Sequence, residues 1–115
     1  MQGVGTHLVL ELWGCSNLNS KEVVERALRA IVAAIGVTLL DLRVYPFEPM
    51  GVTGVAIVAE SHIMIHTWPE HGYAAIDVFT CGRERDLQAA IDTVREHFTP
   101  ERIQAMNMVR GIVVG

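Results

Sequence analysis

The sequence has no apolar run approaching the roughly 18 residues of a membrane-spanning helix; polar residues interrupt each one well before that length. It has no surplus of positive charge. Nine Lys and Arg stand against 13 Asp and Glu, a net charge of −4, which argues against nucleic acid as a partner. A mildly acidic surface suits a cationic substrate better. Cysteine is scarce: Cys15 and Cys81, with no export signal beside them, read as free thiols rather than a disulfide. Met1-Gln2-Gly3 carries no basic segment and no apolar stretch after it, so no signal peptide is read and the cytosol is the expected location. Internal repeats and low-complexity segments are absent too. What is present is 115 residues, 50% of them hydrophobic, which predicts one folded domain with a modest core.

Val4–Trp13 reads as a strand, with His7, Val9 and Glu11 alternating with Leu8, Leu10 and Leu12. Asn17 to Ser20 supplies cap residues for a helix running to about Ile35. Its buried stripe is Val23, Val24, Ala27, Leu28, Ile31 and Ile35, and Gly36 is its stop. Val37–Phe47 is a second strand, ended by Pro46, Pro49 and Gly51. Thr53–Ala59, Ser61–Thr67 and Tyr73–Cys81 follow as strands, with Trp68–Gly72 as a loop. Asp86 is expected to cap a second helix with Leu87, Ala90, Ile91, Val94 and Phe98 as its stripe. Arg102–Val114 is a weaker final strand. Strands joined by short loops predict an antiparallel sheet with both helices packed on one face, an α+β two-layer sandwich. The other face carries polar residues, so it is expected to be a site or an interface rather than core.

Residues 60 to 82 break the pattern. An apolar, strand-like run there holds Glu60, Ser61, His62, His66, Trp68, Glu70, His71 and Cys81. Local departures of this kind mark function. If the flanking strands form a hairpin, its turn is Ala59-Glu60-Ser61-His62, with none of the residues that favour positive φ. Strain before a serine suits one reaction: Ser61 Oγ attacks the Glu60 carbonyl, elimination cleaves the chain, and the remaining dehydroalanine hydrolyses to a pyruvoyl group. An ordinary turn serine is the other reading. Pairing Ala59 with His62 puts Val55 opposite His66 and Thr53 diagonal to it. His66 is then roughly 16 Å along the strand from Ser61, while the next hairpin returns Cys81 to Ser61. One chain therefore holds two separate clusters, which an antiparallel, two-fold pairing of chains would unite. His62 and His66 lie roughly 13 Å apart, too far to share a metal, so no metal site is read, with or without His71. Trp68 is read as packing and Cys15 as structural.

The same stretch is similar to the small prokaryotic S-adenosylmethionine decarboxylases that depend on a pyruvoyl group. Their Glu-Ser-His, Ile-His-Thr-Trp-Pro-Glu, Gly-Tyr-Ala-Ala-Ile-Asp and Phe-Thr-Cys-Gly elements all occur between Glu60 and Gly82. The resemblance extends to Gly5–Glu11 and Phe47–Gly54 and thins after about Asp86. It implies cleavage between Glu60 and Ser61 into 1–60 and 61–115, leaving a covalent pyruvoyl group from Ser61. That group bonds the substrate amine and takes up the electrons released with CO2. By the same resemblance His66 accepts a proton during processing. Thr53, where the family usually has serine, helps hold the processing intermediate; it keeps the hydroxyl but adds a methyl and stiffens χ1. Cys81 is the acid that protonates the substrate carbon, unless it is merely a small buried residue. Phe47 would stack on adenine or face the sulfonium, Glu70 would accept from the ribose hydroxyls, and Glu60 would also touch substrate. Glu11 matches an acidic position whose role stays open. The implied assembly is a homodimer with shared sites, making decarboxylated S-adenosylmethionine for spermidine. The same chemistry on arginine or ornithine, or a non-cleaving paralogue, are the alternatives; Phe47 and Glu70 favour a nucleoside.

Overall fold

A computed structural model describes residues 2–81 and 84–113. Six strands and two helices follow in the order β1 (Gln2–Trp13), α1 (Lys21–Ile35), β2 (Thr38–Pro46), β3 (Val52–Ala59), β4 (Ser61–Trp68), β5 (Tyr73–Thr80), α2 (Glu84–Phe98) and β6 (Arg102–Val113). A single 3-10 turn, Pro69–His71, links β4 to β5. All strand pairs are antiparallel, in the spatial order β2-β3-β4-β5-β1-β6. The α+β sandwich read from the sequence is the architecture found.

Period-two alternation explains which face is buried. Leu8, Leu10 and Leu12 of β1, Val52, Ala56 and Val58 of β3, Ile63 and Ile65 of β4, and Ala74, Ile76 and Val78 of β5 all point to one side. There they meet Val24, Ala27, Leu28 and Ile31 of α1 and Ala90, Val94 and Phe98 of α2. Ser20 caps α1 by accepting the Val23 N–H at 3.1 Å, and Gly36 ends it in the left-handed region at φ 73°. Gly54 lets α1 lie against β3: a Cβ there would come within 2.7 Å of Leu28 Cδ1 and 2.8 Å of Val24 Cγ1.

Four sequence expectations need correction. α2 begins at Glu84, so Asp86 lies in its first turn and does not cap it. β6, expected to be weak and to run to Val114, pairs with β1 along nearly its whole length, ends at Val113 within the described residues, and takes the edge beyond β1. β2 runs Thr38–Pro46, one residue short of the expected Val37–Phe47 at each end; it does stop at Pro46, which an edge strand tolerates. The β3–β4 register is two residues off the expected one: Val58 faces Ser61 and Thr53 faces His66 directly. The reversal still encloses two residues, now Ala59 and Glu60, and Ser61 opens β4 as a paired residue with φ at 103°.

Candidate active site

The sheet face away from the helices carries His7, Val9 and Glu11 from β1, Thr53, Val55 and Ile57 from β3, and His62, Met64 and His66 from β4. The alternation that buries their neighbours turns these outward. Functional side chains gather at its two ends.

At one end, Thr53 Oγ1 lies 3.2 Å from His66 Nδ1. These two residues, with Phe47, Met50, Trp68 and Glu70, line an open cavity of about 320 Å³. Phe47 stands on the β2–β3 loop, 49% exposed, its N–H donating to the Gly51 carbonyl at 2.8 Å. Glu70 projects from the 3-10 turn. Thr67 ties the start of β3 to the β1–α1 connection from below. Its buried hydroxyl accepts the Val52 N–H at 2.8 Å and donates to the Leu18 carbonyl at 2.7 Å. Glu11 belongs to this end of the sheet: it is in register with Ala75, which is in register with His66, and it accepts a hydrogen bond from the Tyr73 hydroxyl.

At the other end, Ser61 opens β4 with φ at 103°, a conformation that costs a non-glycine residue about 1–3 kcal/mol. Glu60, Ser61 and Cys81 line a cavity of about 110 Å³ with Val4, Gly5, Phe79 and Thr80. Gly5 is required there, since a Cβ would meet the Phe79 ring at 2.7 Å. The exposed Cys81 thiol donates to the Val4 carbonyl at 3.3 Å, and its sulfur lies 3.8 Å from Glu60 Oε1. Burial does not favour the small apolar reading of Cys81. Cys15 differs: desolvation by burial pushes its thiol up to about 11.

So the structure brings Ser61, Glu60 and Cys81 together, and Thr53, His66, Phe47 and Glu70 together, but not the two groups within one chain.

The family model described as S-adenosylmethionine decarboxylase matches residues 6–111. The chain is 53% identical to the S-adenosylmethionine decarboxylase proenzyme of Thermomicrobium roseum, over 99% of each chain. It is 47% identical to the proenzyme of the same name from Methanococcus maripaludis, over 98% of this chain and 94% of that one. The crystal structure of the adenosylmethionine decarboxylase from Aquifex aeolicus superposes with a TM-score of 0.90 at 36% identity, covering 99% of this chain and 96% of the other. The chain belongs to the S-adenosylmethionine decarboxylase family.

Four features of this family member escaped the sequence reading. Trp68 does pack, 5.3 Å from the Tyr73 ring, but it is also 40% exposed and walls the larger cavity. Phe79 lines the smaller cavity and is a hub: His7 stacks on it at 5.4 Å, His62 meets it edge-on at 5.9 Å, and Arg110 lies over it at 5.0 Å. His7 Nε2 in turn pairs with Asp77 Oδ1 at 2.9 Å, 70 residues away in sequence. Ser61 Oγ lies 3.4 Å from His62 Nδ1. Only the last had a signal in the sequence, simple adjacency.

Proposed function

We propose that this protein is a self-processing, pyruvoyl-dependent S-adenosylmethionine decarboxylase, cleaved between Glu60 and Ser61 and working as a homodimer. The observation that carries the reading is Ser61. It is a serine held at positive φ at a strand start, facing a small cavity that it shares with Cys81. A backbone stressed at the reacting serine favours exchange of its amide for an ester, because the ester form releases that conformation.

The residues around Ser61 fit a small carbonyl-bearing group. The cavity is about 110 Å³, and the Phe79 ring that packs against Gly5 forms part of its lining. Such a group, when present, supplies an electron sink for the bond to CO2. The protein supplies the rest. Cys81 holds a proton on sulfur beside the reacting carbon and delivers it after CO2 leaves. Glu60 sits against Cys81 at the mouth of the same cavity. At the other cavity, Phe47 offers an exposed ring to the adenine or the sulfonium, Glu70 offers acceptors to the ribose diol, and Trp68 closes the wall. His66, steadied by the Thr53 hydroxyl, takes the Cα proton of residue 61 when the ester is eliminated. Glu11, tied to Tyr73, lies on the same face as His66 with β5 between them.

The two cavities make one site only when a second chain adds its His66 end to the Ser61 end of the first. The face carrying both is apolar enough to pair, with Ile57 47%, Met106 61% and Met108 46% exposed.

Intact-mass measurement tests the reading. The purified protein should give two fragments, 1–60 and an N-terminally blocked 61–115. It should release CO2 from S-adenosylmethionine and far less from arginine or ornithine. One uncut mass after prolonged incubation would refute it.

A further inference from the structure

We infer that His62, in the same chain as Ser61, is the base that starts self-cleavage. His66 of a partner then serves only the elimination that follows. This rests on the self-processing reading above.

Ser61 Oγ cannot attack the Glu60 carbonyl as a neutral hydroxyl at a useful rate; its proton needs an acceptor within reach. The groups around Ser61 Oγ are few. Cys81 directs its S–H at the Val4 carbonyl and toward Glu60, so it acts there as a donor. The Glu60 carboxylate is turned to that same sulfur. His7 pairs with Asp77 through Nε2 and stacks on Phe79, and among the described residues no hydrogen bond joins it to Ser61. His66 is roughly 16 Å away along β4. His62 Nδ1 lies 3.4 Å from Ser61 Oγ, and its ring is held edge-on against Phe79 at 5.9 Å. The edge contact restrains the imidazole while Nδ1 accepts from the hydroxyl with the other proton on Nε2. Hydrogen bonds that serve proton transfer are often this long in a resting structure and tighten in the reactive one.

The step balances without a co-reactant. The Oγ–H proton passes to His62 Nδ1, a C–O bond forms at the Glu60 carbonyl carbon, the Glu60–Ser61 C–N bond breaks, and the proton returns to the Ser61 nitrogen. The product is an ester isomer of the same mass, with a free amine at residue 61. Processing thus divides between chains: the acyl shift uses a histidine in cis, the elimination one in trans.

Hydroxylamine, which cuts esters and spares amides, separates the two steps. In a His66→Ala background elimination is blocked, so hydroxylamine should cut at Glu60 and release a fragment beginning with an unblocked Ser61. Adding His62→Asn should slow that cut at least about a hundredfold, because the amide keeps a hydrogen-bonding group near Nδ1 but takes no proton. His62→Ala in the same background should be equally slow and be partly restored by added imidazole. Thermal melting of each variant reports its folding; a purely structural role would be rescued by asparagine and untouched by imidazole. Cutting of His62→Asn/His66→Ala as fast as His66→Ala overturns the assignment. Wild-type protein that never cleaves overturns the self-processing reading itself, and this inference with it.

Discussion

Two inactive variants should restore each other if the site is shared between chains. One carries Cys81→Ala, the other His66→Ala. Within a chain, Ser61 and His66 are five residues apart on β4, roughly 16 Å at the rise of a strand, and β4 is paired on both sides from His62 to His66. Proton transfer needs approach to about 3 Å. No rotamer covers the difference, and bending β4 would break its ladders to β3 and β5. In a mixed dimer, Ser61 and Cys81 of the His66→Ala chain meet the intact His66 and Thr53 of the Cys81→Ala chain, and that site is whole. The opposite site collects both defects. Random assortment makes about half of all dimers mixed, each with one working site of two, so activity should return to about one quarter of wild type in the unfractionated mixture and to about one half in purified mixed dimers. The assay is co-expression with two affinity tags, sequential purification, CO2 release, and mass spectrometry of each chain. The His66→Ala chain should be cut only in the mixed species. Purified mixed dimers that stay inactive, with the His66→Ala chain uncut, would refute the shared-site geometry.

Thr67→Val should destabilise the fold by about 2 kcal/mol or more, since it strands the buried Val52 N–H and Leu18 C=O. Urea unfolding should show a lower midpoint at unchanged slope, and a loss under about 0.5 kcal/mol would contradict it. Alkylation at pH 8 should mark Cys81 well before Cys15, whose thiol, pushed up to about 11, is only about one part in a thousand thiolate there. Because folding raises the Cys15 value above its ordinary 9.0, the unfolded chain loses that proton first, and stability should fall as pH climbs from 9.0 toward about 11.

Short-range pattern accounts for much of this molecule. The 3.6-residue stripe from Val24 to Ile31, with Ser20 before it and Gly36 after it, produces α1 with its caps. Alternation places Leu8, Leu10 and Leu12 inside and His7 and Glu11 outside. Short connections force β3, β4 and β5 into neighbouring antiparallel pairs, which returns Cys81 to Ser61 and sets Thr53 near His66. These follow from periods and loop lengths, which act over a few residues. What packing decided lies at longer range. A polar alternation on β1 does not say which strands flank it, and insertion of β1 between β5 and β6 is what joins His7 to Asp77 and Phe79. The hairpin register decided the contact of Thr53 and His66, because moving the turn by a residue converts a diagonal contact into a direct one, and it leaves Ser61 opening β4 at a φ of 103°. The side-chain contact between Ser61 and His62 depended on the same angle, since a positive φ re-aims a residue relative to the strand that follows it.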